Sequence, residues 1–562
     1  MTQDAILAKV QEIHRLFGYV EPAQAALSAQ HLLDGLTQPL TPVMRRRVAL
    51  AASLLRQSLA INPFDPMTAS LVAQLQGLAP ASPLCARWTA DVERLMAGQE
   101  RLPLTQAFAA LDALGAAPEA LEACAASDAP LAVRHLAASH LWQTGERDAF
   151  LRAAAALCAH AAGRAAAPFY AWGAWGAGEA ALARQWLGLG PRNFLTYNLL
   201  AAMALATGDT DGARGLWAES LAFEPGQAPL IHRLRELVLP AAPPALADVL
   251  AGDRVHVGFY TFNKFETTLG TLQSLLASDI GDAAVTLLNN GSTAFTADDF
   301  SAAVARVAAG RPVQVINLPV NVGAPVARNW LYSLDASRTA AFVAFLDDDV
   351  VLPPDWLRCY VQDMRADAGL AVAGPKGMNP SPLPTIQYVY RFFQEVGEQH
   401  IRFTNNAPLM MDLGQFDYRR PCLSVMGCCH LFNRPLLERL GVPDFDVRFN
   451  PSQVDDLEHD IQVCKAGGRV LYDGRVRVVH LQDAGRAAPL TRAGWGHVWG
   501  NHMKMEAKFT GDELRGVDEV VRAQDEAHWQ DALRGVWDVL PPACQVFFGP
   551  DIEAAGASGA GA

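Results

Sequence analysis

The sequence predicts two architectures in one chain: an all-α amino-terminal part, and an α/β part built on a mostly parallel sheet flanked by helices. Three observations predict this. Up to about residue 250, alanine and leucine dominate and β-branched residues are sparse, as in helices. From Val255 onward, short apolar strands alternate with helical stretches of about 10–15 residues, the pattern of a sheet covered on both faces. At 562 residues, with 51% hydrophobic and 18% charged side chains, the chain is long enough for two or three domains and apolar enough to give each a core.

The helical part, residues 1–250, is punctuated by Asn62-Pro63, Pro80-Ala81-Ser82-Pro83, Gly190-Pro191 and Gly208-Asp209. Pro191 and Pro225 lie 34 residues apart and follow similar segments, LARQWLGLG and LWAESLAFE. Between them, Tyr197, Leu200, Ala204, Gly208, Ala213 and Trp217 resemble the tetratricopeptide pattern of two antiparallel helices with a small residue at their crossing. Register is lost in the Ala/Gly-rich stretch from Ala161 to Gly178. Nothing in this half carries chemistry. A surface for a protein partner, or a brace for the neighbouring domain, is the expected role.

In the α/β part, Val255–Tyr260 reads as a buried strand, followed by the turn Thr261-Phe262-Asn263-Lys264 and a helix from Glu266 to Ala277. Ala284–Leu288 is a second strand ending at Asn289-Asn290-Gly291-Ser292, and Val313–Asn317 a third. A helix from Ala324 to Leu334 leads to a fourth strand, Ala341–Leu346, which stops at Asp347-Asp348-Asp349. Val350–Leu352 and Pro353-Pro354-Asp355-Trp356 are expected to restart a helix with proline in its first turn. In open α/β sheets, ligands sit beyond the carboxyl ends of the strands, so these loops should meet at one crevice. Residues 375–420 form an aromatic-rich insert with Tyr388, Tyr390, Phe392 and Phe393, read as an acceptor-side lid or as packing. Cys428 and Cys429 read as buried strand residues. The chain turns acidic and helical beyond about residue 510, breaks at Pro541-Pro542, and ends in AAGASGAGA, expected to fray.

Three adjacent carboxylates repel one another unless solvated or matched by a cation. At the lip of a crevice, Asp347, Asp348 and Asp349 therefore suggest a hard-cation site for Mg²⁺ or Mn²⁺, though an acidic solvated turn would look the same. Further along, Asp455, Asp456, Glu458, His459 and Asp460 open a helical stretch, where acidic residues also suit the helix dipole. His480 ends the expected strand Val476–Val479.

With these residues in view, 255–509 resembles a family 2 glycosyltransferase catalytic domain of the GT-A fold. VGFYTFNKFETTLGTLQSLL is similar to the first strand, turn and helix of that family, and LLNNGST to its nucleotide-contacting loop, with Asn289 where aspartate is usual. NVGAPVARNW resembles its Asn-x-Gly…Ala-Arg-Asn helix start, FLDDDVVLPPDWL its Asp-x-Asp region, and DDLEHDIQVCKAGGRVLYDGRVRVVH its Glu-Asp-x-Asp…His ending. NHMKMEAKF is similar to the stretch that closes many such domains.

The resemblance implies inverting transfer from a nucleotide-sugar, taken as UDP-linked, with a divalent cation (Mn²⁺ or Mg²⁺). It implies Asp456 as general base, with Asp455 and Glu458 orienting acceptor hydroxyls. It also implies Asp347 and Asp348 on the donor side with Thr261, Asn263, Asn289 and Arg328, and a metal held by Asp349, Asp347 and His480. Arg328 and Lys264 read equally well as diphosphate contacts or as internal ties. Trp495, His497, Trp499 and His502 suggest an acceptor wall, since tryptophan faces stack on sugar rings. The implied domains are 1–250, helical and tetratricopeptide-like; 251–509, the catalytic unit; and 510–562, a helical extension with a flexible tail. A nucleotidyltransferase-like enzyme and a non-catalytic scaffold are the alternatives.

The composition bounds the partners. A net charge of −13 argues against a dedicated nucleic-acid binder. No apolar run approaches the ~18 residues of a membrane span, and the start has no secretory pattern. Nine cysteines without regular spacing suggest no disulfide framework. The expected setting is the cytoplasm, or the inner membrane face as a peripheral protein, with a glycan, a lipid-linked molecule or a protein as acceptor.

Overall fold

In a computed structural model, residues 3–18, 22–79, 82–238, 244–380, 385–398, 400–404, 412–481 and 492–559 are described. Among the described residues, the regular structure from Gln3 to Leu250 is made wholly of helices. Their starts are written in the sequence: Thr41, Asp65 and Ser82 cap helices that carry proline in the first turn. The pair singled out by the repeat-like spacing, Phe194–Ala206 and Thr210–Phe223, is a helical hairpin that turns at Gly208 with φ +79°. Where register was expected to fail, the chain runs as a 3₁₀ segment, Ala162–Ala166, into the helix Ala167–Gly176.

The sheet begins at β1 (Val255–Thr261). It continues with β2 (Ala284–Asn289), β3 (Val313–Asn317), β4 (Phe342–Leu346), β5 (Val350–Val351), β6 (Leu370–Met378) and β7 (Ile386–Tyr388). β8 (Phe393–Val396) and β9 (Ile401–Phe403) make a separate hairpin, and β10 (Arg419–Cys422), β11 (Cys429–Asn433) and β12 (Arg469–His480) complete the main sheet. Its order is β10-β12-β6-β11-β4-β1-β2-β3, with β5 on β12 and β7 on β6. β3, β2, β1 and β4 run parallel, β11 lies antiparallel between β4 and β6, and β12 is parallel to β6. The architecture is thus a mixed, mostly parallel sheet flanked by helices and preceded by an all-helical region.

Two expectations are corrected. Val350 and Val351 do not restart a helix: they form β5, pairing with Val479 and His480 of β12, and the helix starts only at Trp356, beyond the prolines. Two β-branched residues in sequence suit a strand, and Pro353-Pro354 cannot supply the N–H groups that a helix beginning at Val350 needs by its second turn. The tail is also helical further than expected, from Pro542 to Gly559; residues 560–562, and Pro80 and Ala81 of the Pro80–Pro83 break, lie outside the described residues.

The helical and α/β parts share buried contacts through the long helix Gly511–Val536. Trp529 is buried in the same apolar cluster as Val10, Leu54 and Trp217 of the amino-terminal helices. Arg420 of β10 is fully buried. Its guanidinium forks onto Asp525 at 2.7 and 3.0 Å and donates to the carbonyls of Arg15 and Leu16 at 3.2 and 3.3 Å. Tyr390 of the aromatic insert stacks on Phe17 at 5.8 Å and hydrogen-bonds the Leu16 carbonyl, so this ring packs between the two parts.

Removing one partner of a buried ion pair strands the other charge, at a cost of about 3–5 kcal/mol, whereas replacing both by apolar groups is often near neutral. Arg420→Ala is therefore expected to lower the thermal and urea midpoints clearly, and Arg420→Met with Asp525→Leu to recover most of the loss. Equal midpoints for Arg420→Ala and the parent would show that this tie carries no weight.

Candidate active site

Strand direction alone gathers the site. β1, β2 and β4 are parallel, so Thr261, Asn289 and Asp347 follow on one edge. β12 has the same direction by way of β6, which puts His480 on that edge too. Antiparallel β11 starts there, at Cys429 opposite Leu346.

The centre of the edge is acidic. His480 Nε2 lies 3.1 Å from Asp349 Oδ1 and 3.6 Å from Asp347 Oδ2, and one potential ligand atom from each of the three lies within 4.8 Å of the others. β5 makes this possible: its pairing with β12 carries His480 back beside the aspartates, and the Leu481 amide donates to the Asp349 carbonyl at 2.8 Å. Gln387 of β7 lies 2.9 Å from His480 Nδ1, and an amide oxygen accepting there leaves Nε2 facing the carboxylates. Lys264 reaches across from the first turn to Asp348 Oδ1 at 3.1 Å and Asp349 Oδ2 at 2.8 Å.

Burial is the largest single influence on each of these groups, but the charges around it decide the sign in two of them. It raises Asp347 to about 6 against the pull of His480 and Arg328, and raises Asp348 against Lys264. In Asp349 burial pushes the same way, but the hydrogen bonds and charges of His480 and Lys264 outweigh it and lower the group to about 2. His480 is raised: burial opposes its charge, but Asp349 and Asp347 more than compensate. Two hard carboxylates and an oriented imidazole within reach of one point fit a divalent cation such as Mn²⁺ or Mg²⁺.

Arg328 is buried and acts as an internal tie. Its guanidinium ion-pairs with Asp455 and lies 3.6 Å from Asp347 Oδ1, between the rings of Tyr260 at 5.6 Å and Phe445 at 5.4 Å. Asp455 thus spends its carboxylate on Arg328. Asp456, its neighbour in the first turn of the helix Asp455–Lys465, is half-exposed and accepts from the Gly427 amide at 3.1 Å. The next residue, Cys428, accepts from the Asp347 amide at 3.0 Å, so one short loop links Asp456 to the acidic centre. A Cβ on Gly427 would lie 2.6 Å from Asp456 Oδ2, so a larger residue there would have to displace the Asp456 carboxylate.

The remaining residues divide. Thr261 is buried, with its hydroxyl 2.7 Å from that of Thr268. Asn263, in the left-handed region at φ +60°, accepts from the amides of Thr293 and Ala294 at 2.7 and 3.0 Å. Asn289 is buried, donating to Asn317 at 2.9 Å and accepting from the Ser292 amide at 3.1 Å, so it shapes its loop. Gly291 (φ +69°) lies so close to Val320 that a Cβ would come within 2.1 Å of its carbonyl carbon. Glu458 is not brought to the crevice: it is buried and paired with Lys508 at 2.6 Å, holding the helix Arg492–Lys508. Asp460 is fully buried and accepts from the Val425 amide at 3.2 Å, and burial raises its carboxyl group well above the ordinary range. Trp495 and Trp499 are exposed on the helix Arg492–Lys508, whereas His502 is half-buried and lowered by burial. Cys428 and Cys429 are buried, and burial pushes both thiols up, so neither is an active nucleophile.

Sequence reasoning missed Gln387, Gly427 and the pairing of Lys264 with the aspartates. The lysine had a signal, being the cation in the first of the loops expected to converge. Gln387 and Gly427 had none, because their roles depend on strand pairing.

Residues 260–493 match the model of the family described as "Glycosyltransferase like family 2". None of the curated proteins compared matches the chain. Among solved structures, the chain is similar to GalNAc-T7 with UDP, GalNAc and Mn²⁺, at 13% identity and a TM-score of 0.37 over 53% of this chain and 56% of that one. It is also similar to the mannosyltransferase PcManGT from Pyrobaculum calidifontis in complex with GDP-Man and Mn²⁺, at 17% identity and 0.34 over 64% and 91%. The chain thus spans just over half the length of the first of these. The segment that matches this family model follows the all-helical region, and among the described residues no helix is long and apolar enough to cross a membrane.

Groups that orient a metal-binding histidine are typically worth about 10–100-fold in metal affinity. Gln387→Leu is expected to weaken Mn²⁺ binding by about tenfold or more, read from the spectrum of free Mn²⁺ by electron paramagnetic resonance, and Asp349→Ala to weaken it further. Parent-like Mn²⁺ binding by both variants would remove the cation from this site.

Proposed function

We propose that the chain is an inverting glycosyltransferase that moves a sugar from a nucleotide-sugar, UDP-linked, to an acceptor hydroxyl, with Asp456 as general base. The observation that carries this reading is the cluster of Asp347, Asp349 and His480 beside Asp456, inside the segment that matches a glycosyltransferase family model. In this reading residues 251–509 are the catalytic unit, residues 1–250 a tetratricopeptide-like brace and recognition module, and residues 510–562 an extension that joins them.

The reaction forms one C–O bond and breaks another. The acceptor oxygen attacks the anomeric carbon from the face opposite the diphosphate, whose bond to that carbon breaks with the electron pair leaving on phosphate oxygen. The acceptor's proton passes to Asp456. A carboxylate suffices because the proton moves late, once the new bond is forming. Bound by Asp347, Asp349 and His480, a divalent cation supplies neutralisation of the charge that develops on the departing diphosphate. Lys264 adds a fixed positive charge at the same edge, and Asp347 also faces the donor's ribose. The half-exposure of Asp456 supports its choice over Asp455 and Glu458, whose carboxylates are held by Arg328 and Lys508. Those two are now read as positioning residues.

Turnover of a panel of UDP-sugars tests the activity. Asp456→Asn keeps shape and removes the base, so transfer at saturating substrates should fall about 100- to 10,000-fold with donor and Mn²⁺ binding retained. Burial raises the Asp460 carboxyl group well above its ordinary range, and Asn has the shape of a neutral carboxyl group, so Asp460→Asn should stay within about tenfold of the parent. A nearly dead Asp460→Asn beside a near-normal Asp456→Asn would reverse the assignment.

A further inference from the structure

The helical half carries a concave site that the proposed reaction does not use. The helix Pro83–Met96, the segment around Arg164, the turn 188–193 and the end of the hairpin at Phe223 enclose a groove of about 510 Å³. That volume lies within the range of ligand sites, about 300–1,000 Å³. Its residues come from stretches far apart in sequence, so the fold builds it.

The charge of this groove runs against that of the whole chain. The protein carries 45 basic and 58 acidic residues, yet the groove is lined by Arg87, Arg94, Arg164 and Arg192 against the single carboxylate of Asp91. Asp91 pairs with Arg94 at 3.0 Å, and Arg164 donates to the Cys158 carbonyl at 3.0 Å. Arg87 and Arg192 are exposed, and among the described residues neither has an ion-pair partner. Between the arginines the groove exposes apolar surface of Leu84, Leu95 and Tyr197 over deeper, buried rings. Trp88 and Phe223 are buried, and Tyr197, half-buried, lies 5.6 Å from Phe223 ring to ring. Leu84 at the rim is 41% exposed.

We infer that this groove docks a peptide segment that carries both carboxylates and apolar side chains. Guanidinium forks match carboxylates in two-point hydrogen bonds, and arginine beside aromatic residues is the usual make-up of strong contact points. The burial of the rings decides against two other polyanions. The sugar rings of a sulfated glycan would need open aromatic faces to stack on, and Trp88 and Phe223 are buried. A nucleic acid would need open ring faces for stacking, and these rings are buried; its long run of phosphates would also meet a chain of net charge −13. A short acidic segment meets the local field, which is screened beyond about 8 Å at physiological salt. The inference stands apart from sugar transfer, because none of these residues lies in the α/β part.

The test uses the full-length chain and a fluorescein-labelled synthetic peptide alternating Glu with Leu and Phe, followed by fluorescence anisotropy. Binding is expected that weakens as salt rises. Arg87→Glu with Arg192→Glu should lower affinity by about tenfold or more, and Arg87→Lys with Arg192→Lys should keep part of it. Thermal midpoints check that the variants are folded; if charge reversal unfolds the chain, Arg87→Gln with Arg192→Gln replaces it, with the same loss expected. Mn²⁺ binding should stay at the parent level in every variant. Unchanged peptide affinity in the reversed or neutralised variant would overturn the inference. So would the absence of peptide binding, whether or not heparin binds in its place.

Discussion

Charge compensation at one sheet edge is the constraint on which the rest of the site depends. Asp347, Asp348, Asp349, Asp455 and Asp456 crowd a crevice where burial raises most of the carboxyl groups that shift. Three protein cations meet them: Lys264 on Asp348 and Asp349, His480 on Asp347 and Asp349, and Arg328 between Asp347 and Asp455. With every group ionised, five negative charges face three positive ones, and the edge remains attractive to a cation. Arg328 has the widest reach. In contact with the rings of Tyr260 of β1 and Phe445, it ties β1 and the acidic turn to the helix that carries Asp456. A flexible lysine could not hold both carboxylates and two ring faces at once.

Much of this was legible in the sequence, for a definite reason. Buried parallel strands are short unbroken apolar runs, and their ends are marked by abrupt polar turns, so Val255–Thr261, Ala284–Asn289 and Phe342–Leu346 could be placed to within a residue or so. The crevice followed, because parallel strands share a carboxyl-terminal edge. What stayed hidden depends on pairings between distant segments. β5 is two residues long and resembles a helix approach until β12 is known to lie beside it. Gln387 sits in an irregular insert, and only the β6–β7 pairing brings it to His480. The acid-rich start of the Asp455 helix gave several equivalent carboxylates, and no periodicity could say that Glu458 would find Lys508 or that Arg328 would take Asp455.

The helical extension joins the two halves through buried packing on both sides. An amino-terminal bundle resting on a sheet through a polar surface would be expected to move against it. Here the helix Gly511–Val536 instead adds Trp529 and Leu533 to the core of the amino-terminal helices and Leu514, Val517 and Val521 to the core beneath the sheet. Arg420, with carboxylate and backbone carbonyls around it, fixes the junction where no apolar group could satisfy Asp525. The peptide groove and the acidic crevice are therefore parts of one framework, and a segment held in the groove would stay at a defined place relative to the site.

The last link runs through the loop before Asp455. Gln453 and Val454 both have positive φ, +88° and +59°, where residues other than glycine are strained and a β-branched valine especially so. Such conformations cost about 1–3 kcal/mol each and persist only where neighbours over-determine them. The neighbour here is Asn501. Its side-chain amide donates to the carbonyls of Phe449 and Ser452, both at 2.8 Å, and lies 3.3 Å from that of Gln453, while Lys504 reaches Asn501 and the Arg448 carbonyl at 2.9 and 2.7 Å. Valine at the position before the helix offers no capping side chain, so the loop is shaped from outside by the helix Arg492–Lys508. The strained turn lets the helix start abruptly, with Asp455 under Arg328 and Asp456 against Gly427. A relaxed approach would add length and move both carboxylates off the edge. The resemblance of NHMKMEAKF to the stretch that closes related domains thus acquires a physical reason: that stretch holds the carboxylate-bearing helix in place.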